Sequence, residues 1–328
     1  PAILRFGLRA HLGQAIVSLR LDGSLSMREN PCVSVVIATY NRAHLLPETI
    51  DSVLNQRFQD FELIVVDDGS TDNTREVLER FEPRVRYIYQ ENRGPSAARN
   101  LGVRHAKGAW IAIQDSDDLC APEHLAALHG YVQSHPECGM VFGNGAYLGG
   151  KEHNRETIIA VDKSQRLARQ GVRLVDQFEK SIMRLQASLI AKSAYDALGG
   201  MDESLRICHD LDLFFRLLMR CDVAYLDRVV FYYRKHQGNI SRDDELRQVE
   251  NIKIIEKFLE DFSRARDMLG PRKVSTRVAY RYYRLGKTRW RKREFAAARA
   301  ALVEAVALCP WSLKYRLYQL LWGLSLSR

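Results

Sequence analysis

The sequence predicts an α/β fold, a mostly parallel sheet flanked by helices, followed by an all-α C-terminal extension. Three observations carry this. Apolar runs at residues 33–38, 61–66, 85–89 and 110–113 alternate with helical patterns, the rhythm of a parallel sheet with right-handed crossovers. The first run is almost unbroken, as in a strand covered on both faces. Beyond Arg242 only helical spacing remains.

In chain order, residues 1–30 stand apart as an N-terminal extension. Their basic, moderately apolar stretch precedes Met27 and the first strand. It reads as a segment upstream of a translation start at Met27, or as an amphipathic surface helix. Arg5, Arg9 and His11 interrupt it too often for a signal peptide. Residues 31–241 carry the alternating pattern, with Asn41 placed to cap a helix bearing Leu46, Ile50 and Val53, and a helix over 96–105. Residues 242–328 form the helical extension.

Composition narrows the function classes. The 328 residues are 46% hydrophobic and 27% charged, with mean hydropathy −0.28, as in a globular protein with a large core. No apolar run approaches the ~18 residues of a membrane span. The six cysteines are scattered without a C-x-x-C pair, so a reducing cytoplasm is expected and a zinc site is not. The net charge of +9 peaks over residues 264–299. That tract suits an anionic partner, such as a phospholipid surface, a nucleic acid or a phosphorylated substrate, or else a solvated helix face.

The strand ends carry the chemistry. Ligands of open α/β sheets bind at the carboxyl ends of the strands, and three polar clusters lie there: Thr39-Tyr40-Asn41-Arg42, Asp67 to Asp72, and Asp115 to Asp118. Dense carboxylates repel one another, so the last cluster reads as a site for a hard divalent cation such as Mg²⁺ or Mn²⁺, or as an acidic turn before the helix near Pro122. Neither G-x-G-x-x-G nor a P-loop is present. Phosphate would be held by metal, basic side chains and helix N-termini.

These segments resemble a known family. Val33-Ser-Val-Val-Ile-Ala-Thr-Tyr-Asn-Arg42, Val66-Asp-Asp-Gly-Ser-Thr-Asp72, Asn92-Arg-Gly-Pro-Ser-Ala-Ala-Arg-Asn-Leu-Gly102 and Gln114-Asp-Ser-Asp-Asp118 come first. Gly199-Gly-Met-Asp-Glu203, His209-Asp-Leu-Asp212 and Tyr233-Arg-Lys-His-Gln-Gly-Asn-Ile-Ser241 follow. Each is weak alone. In this order the chain resembles an inverting family-2 glycosyltransferase of the GT-A nucleotide-sugar-binding fold.

The resemblance implies roles. Ala38, Tyr40 and Asp68 would hold the nucleoside, with Thr39, Asn41 and Asp67 also on the donor, Arg99 would meet the diphosphate, and Asp115, Asp117 and Asp118 would together serve the ribose and the metal. Asp117, Asp118 and His236 would hold Mn²⁺ or Mg²⁺. Asp210 would be the catalytic base, although His209 stands where the family usually has Glu. Asp212, two residues on, would support the helix start. Gln186, Ser188, Gly200, Met201 and Asp202 would line the acceptor pocket. The implied reaction moves a sugar from a nucleotide-sugar, UDP-linked by default, to a glycan or lipid-linked acceptor in cell-surface polysaccharide synthesis at the inner membrane face. The alternative is a catalytically silent nucleotide-sugar-binding scaffold acting through its basic tail. For nucleic-acid binding no recognition module is present.

In the extension, residues 279–312 resemble one tetratricopeptide repeat, with Tyr282, Leu285-Gly286, Ala298, Leu302, Ala305 and Pro310 in step and Arg289 out of it. A lone helical hairpin cannot bury its own face. It should dock on the catalytic domain, on neighbouring helices or on a second subunit. Residues 311–326 form either an amphipathic helix on that hairpin or a bilayer contact.

Overall fold

The computed structural model describes residues 16–19, 25–28, 30–148, 156–236 and 243–324. Strands β1 (Ile16–Leu19) and β2 (Leu25–Arg28) form a separate antiparallel hairpin. Residues 16–19, within the stretch for which an amphipathic helix was the alternative reading, are therefore strand. The chain then builds β3 (Val33–Thr39), α1 (Leu46–Leu54), β4 (Phe61–Asp68), α2 (Thr74–Glu79), β5 (Arg86–Gln90), α3 (Pro95–His105) and β6 (Trp110–Asp115). A short β7 (Leu119–Cys120), α4 (His124–Ser134), β8 (Cys138–Tyr147), α5 (Val161–Gln170), α6 (Leu174–Lys180), β9 (Ser188–Ala191), α7 (Lys192–Ala197), α8 (His209–Leu218) and β10 (Asp222–Tyr233) follow.

One eight-stranded sheet results, in the order β5-β4-β3-β6-β9-β8-β10-β7. Its first four strands are parallel, while β9 runs against both β6 and β8, and β7 against β10. The period of two sorts the central strands. Val33, Val35 and Ile37 enter one core with Leu46 and Ile50 of α1 and Leu125 of α4. Val36, Ile64 and Val66 enter another, with Ala98 and Val103 of α3 and Phe214 of α8. Both faces are covered, which is why the strands read as continuous apolar runs.

Five helices follow: α9 (Asp244–Asp261), α10 (Ser263–Leu269), α11 (Pro271–Arg291), α12 (Phe295–Leu308) and α13 (Leu313–Leu324). They are not a detached tail. Phe178 of α6 and Leu211 and Phe215 of α8 share a core with Ile255, Phe258 and Leu259 of α9 and Val278 of α11. The repeat-like hairpin α11–α12 buries Tyr283, Ala298, Leu302 and Ala305, closed by Tyr315 and Trp322 of α13. Trp290 stacks on Trp322 at 4.5 Å. Arg289, the position out of step with the repeat, donates to Glu245 of α9 at 2.9 Å. The outer side of α13 leaves Leu313, Leu317, Leu320 and Leu321 exposed.

Asp244 pins α9 to α11. Its carboxylate accepts from Thr288 Oγ1 at 2.6 Å and Arg284 Nη2 at 3.0 Å. Burial pushes this carboxyl up, but hydrogen bonds from Thr288 and Arg247 and the charge of Arg284 outweigh it and hold it far below its ordinary value. Asp244→Asn is expected to cost about 1–3 kcal/mol, read as a lower melting temperature at neutral pH. A carboxyl with a lowered folded pKa contributes stability above its unfolded value and loses it as pH falls through the folded one. The gap between variant and wild type therefore closes in acid.

Candidate active site

Register aligns the polar clusters. Ala38 sits opposite Asp115 on one side, and Thr39 opposite Asp67 on the other, so β3, β4 and β6 end together. A cavity of about 1210 Å³ opens over this edge, lined by Ala38, Thr39, Tyr40, Asn41, Asp68, Arg99, Asp115, Asp117, Gln186 and Asp210 among others. Most of the predicted donor residues thus share one space.

Asn41 does not cap α1. It takes a left-handed conformation with φ 51°, and its Oδ1 accepts from the Thr71 amide at 2.8 Å and the Asp72 amide at 3.3 Å. It ties the β3 loop to the β4 loop. Gly69, at φ +79°, makes the second turn possible, because a Cβ there would stand 2.7 Å from the Asn92 amide nitrogen.

The paired aspartates of β4 divide by strand alternation. Asp68 lines the cavity, and its carboxylate accepts from Gln90 and from the Arg93 and Gly94 amides at 2.6–2.9 Å. It shapes the entry to α3. Asp67 does not line the cavity; it accepts from the Ser70 amide and Tyr87 hydroxyl. Expected among the donor residues, its carboxylate is held within the turn after β4.

The acidic cluster is held from three directions. Asp115, Asp117 and Asp118 can present oxygens all within 4.8 Å of one another. Arg99 Nη2 donates to Asp115 Oδ1 at 2.6 Å. Gln186 Nε2 bridges Asp115 Oδ2 at 3.0 Å and Asp118 Oδ2 at 2.7 Å. From the segment after β10, the Arg234 amide donates to Asp118 Oδ1 at 2.8 Å, and His236 Nε2 lies 2.9 Å from Asp117 Oδ2. The rest of the late motif, 237–241, lies outside the described residues.

This geometry ranks the carboxylates. Asp118, expected as a metal ligand, is 1% exposed with both oxygens engaged by Gln186 and the Arg234 amide, and so braces the cluster. Asp117 faces the cavity beside His236 and Arg42. Burial, then the charge of Asp115, pushes the Asp118 carboxyl far up, and burial raises Asp115 against the pull of Arg99. Positive charge is what the cluster lacks, and oxygens flanked by an imidazole fit a divalent ion.

Asp210 opens α8 and lines the same cavity. Its Oδ1 accepts the Leu211 amide at 2.8 Å, and Oδ2 has no protein partner among the described residues. Burial raises its pKa, with the Arg184 charge pulling the other way. Asp212 is instead spent on Arg216, whose Nη groups also hold the Leu198 and Gly200 carbonyls. His209 does not reach the Asp210 carboxylate. It hydrogen-bonds Arg99, and burial with the Arg99 charge drives its pKa well down, so the ring is neutral. A Glu here would pair with Arg99; neutral His209 leaves that charge for Asp115 and the cavity.

Of the five residues expected to line the acceptor pocket, Gln186 lines this cavity. Gln186 is the clamp described above. Ser188 is buried and donates to the Leu185 carbonyl. Gly200 and Met201 form a turn around Asn100, and a Cβ on Gly200 would meet Asn100 Oδ1 at 2.6 Å. Burial pushes Asp202 up, but bonds from Ser204 and Lys257 outweigh it and bring the carboxyl to about 2. None of Ser188, Gly200, Met201 and Asp202 lines the cavity. Sequence reasoning missed the opposite wall, Arg247 of α9 and Arg277, Tyr280, Arg281 and Arg284 of α11. On α11, Arg277 and Arg281 are four residues apart, as are Tyr280 and Arg284, so the group shares one helix face, and this was the available signal.

Residues 34–199, just over half of the chain, match the family model for glycosyl transferase family 2. The chain belongs to that family and is a glycosyltransferase. An uncharacterized glycosyltransferase of Rickettsia typhi is 28% identical over 233 residues, covering 70% of this chain and 72% of its own. GlyG of Streptococcus pneumoniae is 41% identical over 116 residues, 34% of this chain and 38% of its own. Among solved structures, S. aureus TarS with UDP-GlcNAc gives a TM-score of 0.63 at 18% identity over 84% of this chain and 81% of that one. The mannosyltransferase PcManGT of Pyrobaculum calidifontis with GDP-Man and Mn²⁺ gives 0.58 at 20% identity, over 90% and 84%. At these identities the likeness establishes the GT-A-like fold.

Proposed function

We propose that this chain transfers a sugar from a nucleotide-sugar, UDP-linked by default, to a hydroxyl of a glycan or lipid-linked acceptor, with inversion and with a divalent metal. The observation that carries it is the meeting of Arg99, Asp117 and Asp210 on one cavity at the ends of β3, β4 and β6, with His236 against Asp117 at 2.9 Å. TarS and PcManGT, solved with UDP-GlcNAc and with GDP-Man and Mn²⁺, support the donor class.

The chain's own groups divide the work. Tyr40 and Asp68 flank the nucleoside region, and Arg99 holds Asp115 while turning its charge toward the diphosphate. Asp117 and His236 would hold Mn²⁺ or Mg²⁺. A divalent ion bound there supplies Lewis-acid stabilisation of the leaving diphosphate. Asp210 accepts the proton of the attacking hydroxyl through Oδ2, and its raised pKa makes it a stronger base than an ordinary carboxylate.

A role in cell-surface polysaccharide synthesis at the inner membrane face belongs to the same proposal. Exposed leucines of α13 and the outward part of the 264–299 tract support surface association. Among the described residues no helix is long and apolar enough to cross a membrane.

The test is release of nucleoside diphosphate from a panel of nucleotide-sugars, with Mn²⁺ or Mg²⁺ and with EDTA. Slow hydrolysis of one donor, abolished by EDTA and restored by metal, is expected. Binding of a donor without turnover under any condition or acceptor supply favours the silent scaffold; binding of none overturns the reading.

A further inference from the structure

The cavity does not end at Asp210. Its lining continues onto the C-terminal helices, and the charges there are unevenly matched. Arg247 and Arg284 both reach Asp244. Arg277 and Arg281 have no carboxylate at ion-pair distance among the described residues, and the Nε of each is buried without a hydrogen-bond partner. The contacts of Arg281 are neutral ones, from Nη1 to Gln248 Oε1 at 3.2 Å and over the Tyr280 ring at 5.9 Å. Glu179 is the carboxylate whose charge reaches Arg277, and it is 3.5 Å from Lys273. Burial lowers the pKa of Arg277, and burial plus the Arg277 charge lowers that of Arg281 to about 10.

Two half-buried guanidinium groups one helical turn apart, neither neutralised, destabilise the free protein. Local frustration of this kind belongs to sites awaiting a ligand. The position says which ligand. Arg281 carries its charge within range of Cys208, two residues before the base, and Arg184 within range of Asp210 itself. The donor diphosphate has separate cationic groups, Arg42 and Arg99, around the acidic cluster. Paired guanidinium forks match the charge and oxygen geometry of a phosphate dianion.

We propose that Arg277 and Arg281 of α11, with Arg184, form a subsite for a phosphate group carried by the acceptor, so that the helical extension selects phosphorylated acceptors. This rests on the reading of the cavity as the transfer site with Asp210 as base. Part of the basic tract is thereby a recognition wall rather than a membrane patch.

The experiment uses the full chain saturated with Mn²⁺ and the nucleoside diphosphate identified by the donor panel, and titrates glycerol 3-phosphate, with glycerol as control. Wild type is expected to bind glycerol 3-phosphate and not glycerol. Arg277→Gln/Arg281→Gln should weaken that binding roughly 10- to 100-fold while leaving nucleoside diphosphate affinity unchanged. Without anion this variant should melt no lower than wild type, whereas a purely structural role predicts a lower melting point. Arg277→Lys/Arg281→Lys, which keeps the charge and loses the forks, should bind with intermediate affinity. The proposal is overturned if wild type binds the probe no better than glycerol, or if the double Gln variant binds it like wild type. Failure of wild type to bind any nucleoside diphosphate would instead sink the transferase reading beneath it.

Discussion

Asp210→Asn is expected to bind donor as wild type does and to lose transfer by roughly 10²–10⁴-fold. Among the described residues four carboxylates line the cavity: Asp68, Asp115, Asp117 and Asp210. Asp68 is saturated by Gln90 and two backbone amides, Asp115 by Arg99 and Gln186, and Asp117 sits against His236. Asp210 alone combines an unshared oxygen with a place at the start of α8. The near-isosteric amide keeps the contact with the Leu211 amide through its own oxygen, so the melting temperature should hold. The pH dependence has a definite sign. A base works deprotonated, and burial raises the Asp210 pKa, so kcat/KM should fall in acid at a higher pH than an ordinary carboxylate would give. The Asn variant should lack that limb. A pH profile of kcat/KM for both proteins checks it.

Asp117→Asn carries the second large effect, on a different step. It removes the carboxylate that faces the cavity beside His236, so metal affinity and metal-dependent donor binding should fall together, at least tenfold and by up to about a hundredfold. Mn²⁺ titration with and without donor measures both. Asp118→Asn should behave otherwise. Its oxygens receive Gln186 and the Arg234 amide inside the protein, so an amide leaves a buried donor facing a donor, and the first loss is thermal stability.

The contrast between these neighbours shows what the chain did and did not reveal. Strand ends were legible, because buried parallel strands are apolar until the residue that meets the site, and Asp67, Asp68 and Asp115 mark those residues. Which aspartate faces inward was legible only through the period of two, which sends Asp68 to the cavity and Asp67 to Tyr87. Asn41 looked like a helix cap because its side chain favours caps, but a left-handed turn put it on the neighbouring loop. Gln186 was placed with the acceptor. Its bonds to Asp115 and Asp118 span 71 and 68 residues, and no local pattern encodes a contact of that range. The basic tract suited an anionic partner or a solvated face, and its place in the fold was not legible for the same reason. Charge density is visible in a sequence, whereas the docking of α11 across the cavity follows from the shared core of α6, α8 and α9.

The central claim is a single displacement with Asp210 as the only protein group that changes protonation. Proton NMR of the sugar released or transferred in the first turnovers, recorded before mutarotation, tests it most directly. The account predicts an anomeric configuration opposite to that of the donor. Retained configuration would contradict it, because a second displacement or a front-face attack would then be required and a lone base at Asp210 could not account for the reaction.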